Sequence, residues 1–321
     1  MIKIIFAPRA NQINSLISQA KIDILKTNKN QLLILLAFFS IYVIWGSTYL
    51  LNKIAVTEIP AFSLAGFRFL IAGTLILIIA KILRKPLHVS KKQLLNSCIA
   101  GFLFLVYGNG VFVWALNYID SGFAALLAST QPLFVLILMR LIDSKKLQVK
   151  SIIGVSLGMI GMYLLVSQKG VSTKEGSLLA IGIMFSCVLS WSYGSIFVSK
   201  ADLPKNFFVS TGYQMIFAGV LLLCISLGLQ ETWISPSDLS FKAQLSFIGL
   251  IVFGGIVAFT AFNFLLKNVS PEKVATSAYV NPVVAMFLGW YVLDENLTTQ
   301  SIIAAVILLT GVYFITSRKR L

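Results

Sequence analysis

Two stretches of the sequence place a side-chain amide directly before a proline inside an otherwise apolar run. Gln131-Pro132 stands in STQPLFVLILM and Asn281-Pro282 in YVNPVVAMFLG, 150 positions later. A proline inside a helix removes one backbone N–H and leaves a carbonyl without its partner, while an amide can both donate and accept. The pattern predicts either a plain kink satisfied by neighbouring helices or a kink that lines a solute cavity.

Further polar and aromatic residues fall near the middle of predicted apolar helices. They are Trp45, Ser47, Tyr107, Asn109, Trp191 and Tyr193. Trp and Tyr otherwise prefer the membrane interfaces, so rings at mid-depth are unusual. With Gln131 and Asn281 they are the predicted substrate-binding residues, suited to a small amphipathic or aromatic solute. For each single ring, ordinary packing is the alternative.

Arg68 is the only basic residue well inside an apolar stretch. It stands in GFRFLIAG, and the later segment GYQMIFAG has Gln214 at the same place. Arg in a helix core costs about 2.5–3.5 kcal/mol even on a lenient scale, so it should face a partner or water. It could snorkel to outer head groups, bond backbone carbonyls at the outer end of the first helix, or contact an anionic substrate group. We assign gating or structural roles to Arg68, Gln214, Pro132 and Pro282.

Residues for membrane-embedded catalysis are missing from the sequence. The single histidine, His88, falls in a predicted loop, and neither HExxH nor GxSxG occurs. Cys98, Cys187 and Cys224 lack CxxC spacing and are typical of packing residues. We therefore expect no enzyme, no metal site and no cofactor.

Composition indicates the elements that must carry these residues. The chain has 321 residues, 58% hydrophobic and 12% charged, with a mean hydropathy of +0.89, which is typical of an integral membrane protein. A membrane-spanning helix needs about 20 mostly apolar residues. Ten such runs are predicted, at Leu32–Ile54, Ala61–Leu83, Leu94–Leu116, Ser121–Ile142, Ser151–Ser167, Gly176–Ser199, Asn206–Leu229, Gln244–Leu266, Val274–Leu293 and Thr299–Thr316.

The distribution of Lys and Arg predicts the orientation, because positive charge is retained on the cytoplasmic side. Of 26 such residues, 21 fall in the two tails and in alternate connections, which places both termini in the cytoplasm. The net charge of +15 then reflects topology and anionic lipid, and no nucleic-acid partner is expected. Residues 1–30 form a cytoplasmic tail, as a short interfacial helix or as disordered chain, and residues 318–321 form a basic tail.

The chain contains a repeat. The two amide-proline pairs are offset by 150 positions, the GFRFLIAG and GYQMIFAG segments by 146, and Trp45-Gly-Ser and Tyr193-Gly-Ser by 148. Each half, residues 31–168 and 169–317, holds five predicted spans, so the second copy enters the membrane inverted. Gly154, Gly158 and Gly161 share one face of the fifth span, where helix packing is favoured and a homodimer contact is the lesser alternative.

WGSTYLLNKIA, AGFRFLIAG and the long C-terminal stretch from SAYVNPVVAMFLG to GVYFI resemble the EamA family of the drug/metabolite transporter superfamily. The resemblance spans about residues 32–316. It implies a ten-helix bundle of two inverted repeats that moves small metabolites, often outward, in a bacterial inner membrane. Glu295 matches the family's acidic motif, whereas Lys145 in the first half departs from it, so no role shared by both motifs is carried over.

The function that follows is a secondary carrier, with a channel or a lipid scramblase-like pore as the alternative. A channel requires a continuous polar stripe or a charge ring, and the sequence has neither. All eleven Asp and Glu residues fall in loops or at helix ends, so no carboxylate is expected at mid-membrane to carry a proton. The expected partners are a small-molecule substrate and the lipid bilayer.

Overall fold

The structure, a computed structural model, describes residues 30–115, 127–144, 146–167, 177–293 and 298–317, and within these ranges it is helical without strands. The all-helical fold predicted for the chain is thus confirmed. The N-terminal tail, Lys145, Glu295 and residues 318–321 lie outside the described residues. The helices are α1 (residues 30–55), α2 (Ala61–Ile82), α3 (Lys91–Ala115), α4 (Gln131–Asp143), α5 (Val149–Ser167), α6 (Ser177–Lys200), α7 (Phe207–Gly228), α8 (Phe241–Asn268), α9 (Ser277–Leu293) and α10 (Thr299–Thr316).

Eight helices within the described ranges are long and apolar enough to cross a membrane, namely α1, α2, α3, α5, α6, α7, α8 and α10. The described parts of α4 and α9 are shorter, with 13 and 17 residues. Large apolar side chains such as Leu141, Tyr163 and Leu178 remain exposed on the outside of the bundle. Such a surface is suited to lipid rather than to water.

The two prolines occupy different positions in their helices. Pro132 lies in the first turn of α4, which begins at Gln131, so its missing N–H leaves no interior hydrogen bond unmade. The predicted kink inside a continuous fourth helix is therefore wrong at Pro132, because the helix is already interrupted by a turn at residues 129–130. Pro282 does lie inside α9, as predicted, and it offers no N–H to the carbonyl of Ala278.

Three helices contain π-helical segments that hydropathy did not predict. These segments are Ser40–Ile44 in α1, Phe102–Val111 in α3 and Leu250–Phe259 in α8. The segments of α3 and α8 begin 148 positions apart, at equivalent places in the repeat. A π segment shifts the face presented by the residues that follow it and frequently marks a functional site.

Helices α2 and α7 pack closely along the two related segments GFRFLIAG and GYQMIFAG. A methyl group on Gly73 would lie 2.9 Å from the backbone nitrogen of Ile216, and one on Gly219 would lie 2.6 Å from that of Leu70. Glycine is required at both positions because backbone of the partner helix occupies the space of a side chain.

The glycine face of α5 is also used within the chain. A methyl group on Gly154 would lie 2.7 Å from the Gly311 carbonyl oxygen in α10, and one on Gly161 would lie 3.1 Å from that of Ala304. Gly158 lies under the ring of Tyr279 in α9. Packing is therefore the role of this face, and a homodimer contact through it is excluded because α10 and Tyr279 cover it.

Two glutamates cap helices of the opposite half. Glu58, after α1, accepts hydrogen bonds from the backbone N–H (2.8 Å) and hydroxyl (2.6 Å) of Ser240, the N-cap of α8. Glu231, after α7, accepts from the backbone N–H groups of Phe62 (3.1 Å) and Ser63 (2.7 Å) at the start of α2. A carboxylate satisfies N–H groups that a helix start leaves free, so these contacts join the ends of α1, α2, α7 and α8.

Candidate functional site

The helices α1, α2, α3, α4, α6, α8 and α9 enclose a central cavity of about 240 Å³. This volume approaches the lower end of the range for small-molecule sites. Most of the lining is apolar, and the polar groups come from a few side chains. Of the predicted residues, seven line the cavity: Trp45, Arg68, Asn109, Gln131, Trp191, Asn281 and Pro282.

Arg68 is buried in the cavity wall, with 7% of its surface exposed. Its two terminal nitrogens donate to side-chain oxygens on neighbouring helices, Nη1 to Asn52 Oδ1 at 3.0 Å and Nη2 to Asn109 Oδ1 at 2.7 Å. Snorkelling to head groups is excluded by this burial. The predicted bonds to backbone carbonyls are also replaced, because amides of α1 and α3 supply the acceptors. The third nitrogen, Nε, is buried without a partner.

Orientation of this arginine depends on both neighbouring asparagines and on one ring. The Asn52 amide is itself held by a hydrogen bond from Nδ2 to the Thr48 carbonyl at 3.0 Å, one turn earlier in α1. The Arg68 guanidinium carbon lies 4.5 Å from the centre of the Phe69 ring, which is within range of a cation–π contact. Arg68 thus joins α1, α2 and α3 beside the cavity.

The two amides that precede the prolines each leave one buried polar atom unpaired. Gln131 Nε2 and Asn281 Oδ1 have no hydrogen-bond partner in the structure, and both residues line the cavity. Ala128 and Ala278, three residues before each amide, line it as well. A buried amide atom without a partner costs about 1–3 kcal/mol, so a solute that pairs with it gains that free energy back.

Five aromatic side chains pack together at one end of the cavity, and we call them the ring cluster: Trp45, Phe104, Trp191, Phe259 and Phe262. The ring centres of contacting pairs lie 5.0–6.0 Å apart. Phe104 and Phe262 are almost wholly buried behind the three rings that line the cavity. Trp45 lies about two helical turns before Asn52 in α1, so the ring cluster and Asn52 lie at different depths of the cavity.

Other predicted residues lie outside the cavity lining. The Ser47 hydroxyl donates to the Ile44 carbonyl of its own helix (2.7 Å), and Tyr107 hydrogen-bonds Ser186 (2.9 Å). Tyr193 is exposed on the outside of α6, and Pro132 is buried against neighbours. Gln214 is fully buried, and its Nε2 donates to Ser210 Oγ and Asn263 Oδ1, both at 3.1 Å.

Several lining residues were not anticipated from the sequence, among them Thr48, Asn52, Phe112, Phe259 and Ser277. Trp45, Thr48 and Asn52 are spaced three and four residues apart, so they share one face of α1. From that spacing, Thr48 and Asn52 could have been predicted to line the cavity together with Trp45. Asn52 was overlooked because it falls close to the end of the predicted first span.

The far side of the ring cluster is tied together by polar contacts between helix ends. Lys200, at the end of α6, forms an ion pair with Asp143 of α4. Lys267 Nζ, near the end of α8, donates to the carbonyl of Ala201 at 2.6 Å. The Asn96 amide in α3 donates to the carbonyl of Asp202 at 2.8 Å. These contacts hold the ends of α3, α4, α6 and α8 together.

A bundle of membrane-length helices around a cavity lined by guanidinium, amide and aromatic groups defines a helical membrane protein with an internal cavity. Its sequence assigns it more narrowly. The chain belongs to the EamA-like transporter family, whose model matches residues 32–167 and again residues 176–317. It is a multi-pass integral membrane protein, as predicted.

Curated relatives carry transporter names. The uncharacterized inner membrane transporter YedA of Escherichia coli (strain K12) is 35% identical over 286 residues, covering 89% of this chain and 91% of the relative. The uncharacterized transporter YoaV of Bacillus subtilis (strain 168) is 23% identical, covering 89% and 99%. A probable amino-acid metabolite efflux pump of Escherichia coli (strain K12) is 25% identical, covering 85% and 91%. The name of the first relative agrees with the predicted bacterial inner membrane.

A solved crystal structure of a protein has the same fold. It superposes with a TM-score of 0.74 at 17% sequence identity, covering 88% of this chain and 96% of the other. At this identity the likeness shows the fold alone.

Proposed function

We propose that this protein is a secondary transporter that moves a small metabolite across the bacterial inner membrane by alternating access, in efflux or exchange. The observation that carries the proposal is the central cavity in which Gln131 and Asn281 each leave a buried amide atom unpaired. Amide side chains in a cavity lining that keep a polar atom unpaired are suited to a solute that binds and leaves. The alternative, a channel or lipid scramblase-like pore, is disfavoured because the described lining of the cavity is mostly apolar and includes a single charged side chain rather than a charge ring.

In the proposed topology all ten long helices, α4 and α9 included, span the membrane as two inverted repeats of five, residues 31–168 and 169–317. Both termini are cytoplasmic, as the distribution of Lys and Arg favours. The repeat-related contacts of α2 with α7 support this arrangement. In this orientation the contacts of Lys200 and Lys267 lie on the cytoplasmic side, and the ring cluster lies closer to that side than Asn52 does.

The proposed substrate-binding residues are those predicted residues that line the cavity, with the two amides as polar anchors. Replacing either amide should weaken solute binding while the protein remains inserted and folded. Gln131→Ala and Asn281→Ala should each cost about 1–3 kcal/mol of binding free energy. Ser47→Ala, which changes a hydroxyl bonded within its own helix, is the matched control. Unchanged affinity in both amide variants would leave the amides a packing role only.

Transport is proposed to run by exchange or facilitated diffusion rather than by proton coupling. Among the described residues no Asp or Glu lines the cavity, so no carboxylate is placed there to carry a proton. A steep dependence of the initial rate on an imposed pH gradient, at fixed solute charge and zero membrane potential, would contradict this.

The experiment that tests the transporter begins with untargeted metabolite profiling of medium and cells with and without overexpression. A solute whose distribution changes is then tested with the purified protein in proteoliposomes. Saturable counterflow is the expected result for a carrier. Flux that does not saturate would indicate a pore, and the absence of protein-dependent flux for every such solute would contradict the proposed function.

A further inference from the structure

Arg68 gives the cavity a positive charge that no described residue of the lining neutralises. It is the only side chain with a formal charge at neutral pH among the described residues that line the cavity. Its partners Asn52 and Asn109 are neutral amides, and its Nε has no partner. A buried charge without a counter-charge is costly, even when its hydrogen bonds are partly satisfied.

Tying helices together does not by itself require this charge. At the equivalent place in α7, Gln214 makes hydrogen bonds to Ser210 and to Asn263 of α8 with a neutral amide. Arg68 performs the corresponding tie to Asn109 of α3, and in addition it brings a cation to the cavity wall. The hydrogen bonds that join the helices therefore do not explain why Arg68 carries a charge.

We infer that the transported solute carries an anionic group, of the carboxylate type, that binds beside Arg68 and supplies the missing counter-charge. This inference rests on the proposed function, since it assigns the substrate class of the same cavity. A guanidinium with a free N–H is a strong donor to carboxylates because both groups are charged. Gln131 Nε2 offers a second unpaired donor and Asn281 Oδ1 an unpaired acceptor.

The same arrangement excludes a class of solutes. A cationic solute would place a second positive charge in a cavity whose described lining already contains Arg68 and includes no carboxylate. Like charges repel strongly where water is excluded. A neutral solute would leave the Arg68 charge uncompensated, so it should bind more weakly than an anion of the same shape.

Three probes of nearly equal shape separate these cases: 3-phenylpropionate, 3-phenylpropionamide and 3-phenylpropylamine, which are anionic, neutral and cationic at neutral pH. Binding is measured by fluorescence of Trp45 and Trp191, which line the cavity. The full chain is held in nanodiscs of phosphatidylcholine, so that the lipid surface carries no net charge. We expect the carboxylate to bind at least tenfold more tightly than the amide, and the amine more weakly than either.

Arg68→Gln, which copies Gln214 into the first half, should bring the affinities for the carboxylate and the amide within about twofold of each other. Arg84→Gln changes an exposed arginine outside the cavity and should retain the tenfold preference. Arg68→Lys keeps the charge and should retain most of the preference. If Arg68→Gln does not fold, the affinities of Arg68→Lys and of the unaltered protein for the three probes provide the test.

Three results would overturn the inference. The first is that the amide or the amine binds the unaltered protein as tightly as the carboxylate or more tightly. The second is that the preference for the carboxylate persists in Arg68→Gln. The third is that none of the three probes binds. Each is distinct from failure of the proposed function, which is judged by counterflow in proteoliposomes. A protein that exchanges neutral solutes would refute the inference and leave the transporter intact.

Discussion

Arg68 and Gln214 hold equivalent places in two related segments and have opposite surroundings. Arg68 lines the cavity and ties α2 to α1 and α3, whereas Gln214 is fully buried away from it and ties α7 to α8. Each bonds an asparagine of the next helix, Asn109 or Asn263. This motif position therefore supplies hydrogen bonds between helices in both halves. A charge is present only in the first half, where the residue lines the cavity.

The largest effect is expected from making the second half copy the first. Gln214→Arg would bury a cation at a site with no exposed surface, where Gln214 now bonds the neutral side chains of Ser210 and Asn263. The loss of stability should amount to several kcal/mol, because an unpaired buried ion is left without solvation. Little folded protein should appear in size-exclusion chromatography, whereas Gln148→Arg, at an exposed position, should behave as the unaltered protein. Normal yield and melting temperature of Gln214→Arg would contradict the sealed, neutral character of this site.

Arg68→Lys should have the next largest effect. Lysine keeps the charge but cannot reach Asn52 and Asn109 together in the fork geometry of the guanidinium. One asparagine oxygen is then left unpaired, at a cost of about 1–3 kcal/mol in stability and with slower transport. A thermal melt with Arg84→Lys as the control measures the difference. If Arg68→Lys has the melting temperature and the transport rate of the unaltered protein, the hydrogen bonds that join α1, α2 and α3 through Arg68 are not needed.

Smaller effects are expected from replacing Asn109 or Asn263, and these two effects should differ in kind. Asn109→Ala should lower stability and also alter the affinity for 3-phenylpropionate, because Arg68 loses the partner that holds it at the cavity. Asn263→Ala should lower stability by a similar amount, about 1–3 kcal/mol, because the Gln214 amide loses its acceptor. It should leave the affinity within twofold. A change of affinity in Asn263→Ala alone would reverse the roles assigned to the two halves.

The smallest effect concerns the capping glutamates. Hydrogen bonds from the hydroxyl and the backbone N–H of Ser240 lower the pKa of Glu58 below its ordinary value. Its stabilising contribution is therefore complete above the ordinary carboxyl pKa of about 4.3 and is lost as the pH falls through the lower pKa of the folded protein. The melting temperatures of Glu58→Gln and the unaltered protein should differ slightly at pH 7 and converge as the pH falls below the pKa of the folded carboxyl. A constant difference across that range would contradict the assignment.

Apolar length and the repeat were enough to predict the helical class and the approximate helix bounds, and the resemblance of motifs such as WGSTYLLNKIA and AGFRFLIAG indicated the family. Those properties depend on many residues at once. The two prolines show where this reasoning fails: both follow an amide, yet Pro132 begins a helix and Pro282 lies within one. The difference arises at the turn of residues 129–130, before the proline. Neither of these two residues is a glycine or a proline, so they gave no signal of a turn.

The site was predicted less completely than the fold. Trp191 lines the cavity and Tyr193 faces outward, because residues two apart on a helix point to different sides. Depth alone could not separate them. The partners of Arg68 lie 16 and 41 positions away, and their distances follow from packing that includes the π segment of α3. Hydropathy carries no signal for such a segment.

The glycine contacts between α2 and α7 are related by exchange of the two segments. Gly66 faces Leu223 while Gly212 faces Leu77, and Gly73 faces Ile216 while Gly219 faces Leu70. Leu77 and Leu223, like Leu70 and Ile216, are themselves 146 positions apart, so each glycine and its counterpart contact residues that are also counterparts. Such a contact is isologous, the form found where two identical subunits meet across a two-fold axis. One self-complementary surface, present twice in a single chain, thus supplies both sides of this interface.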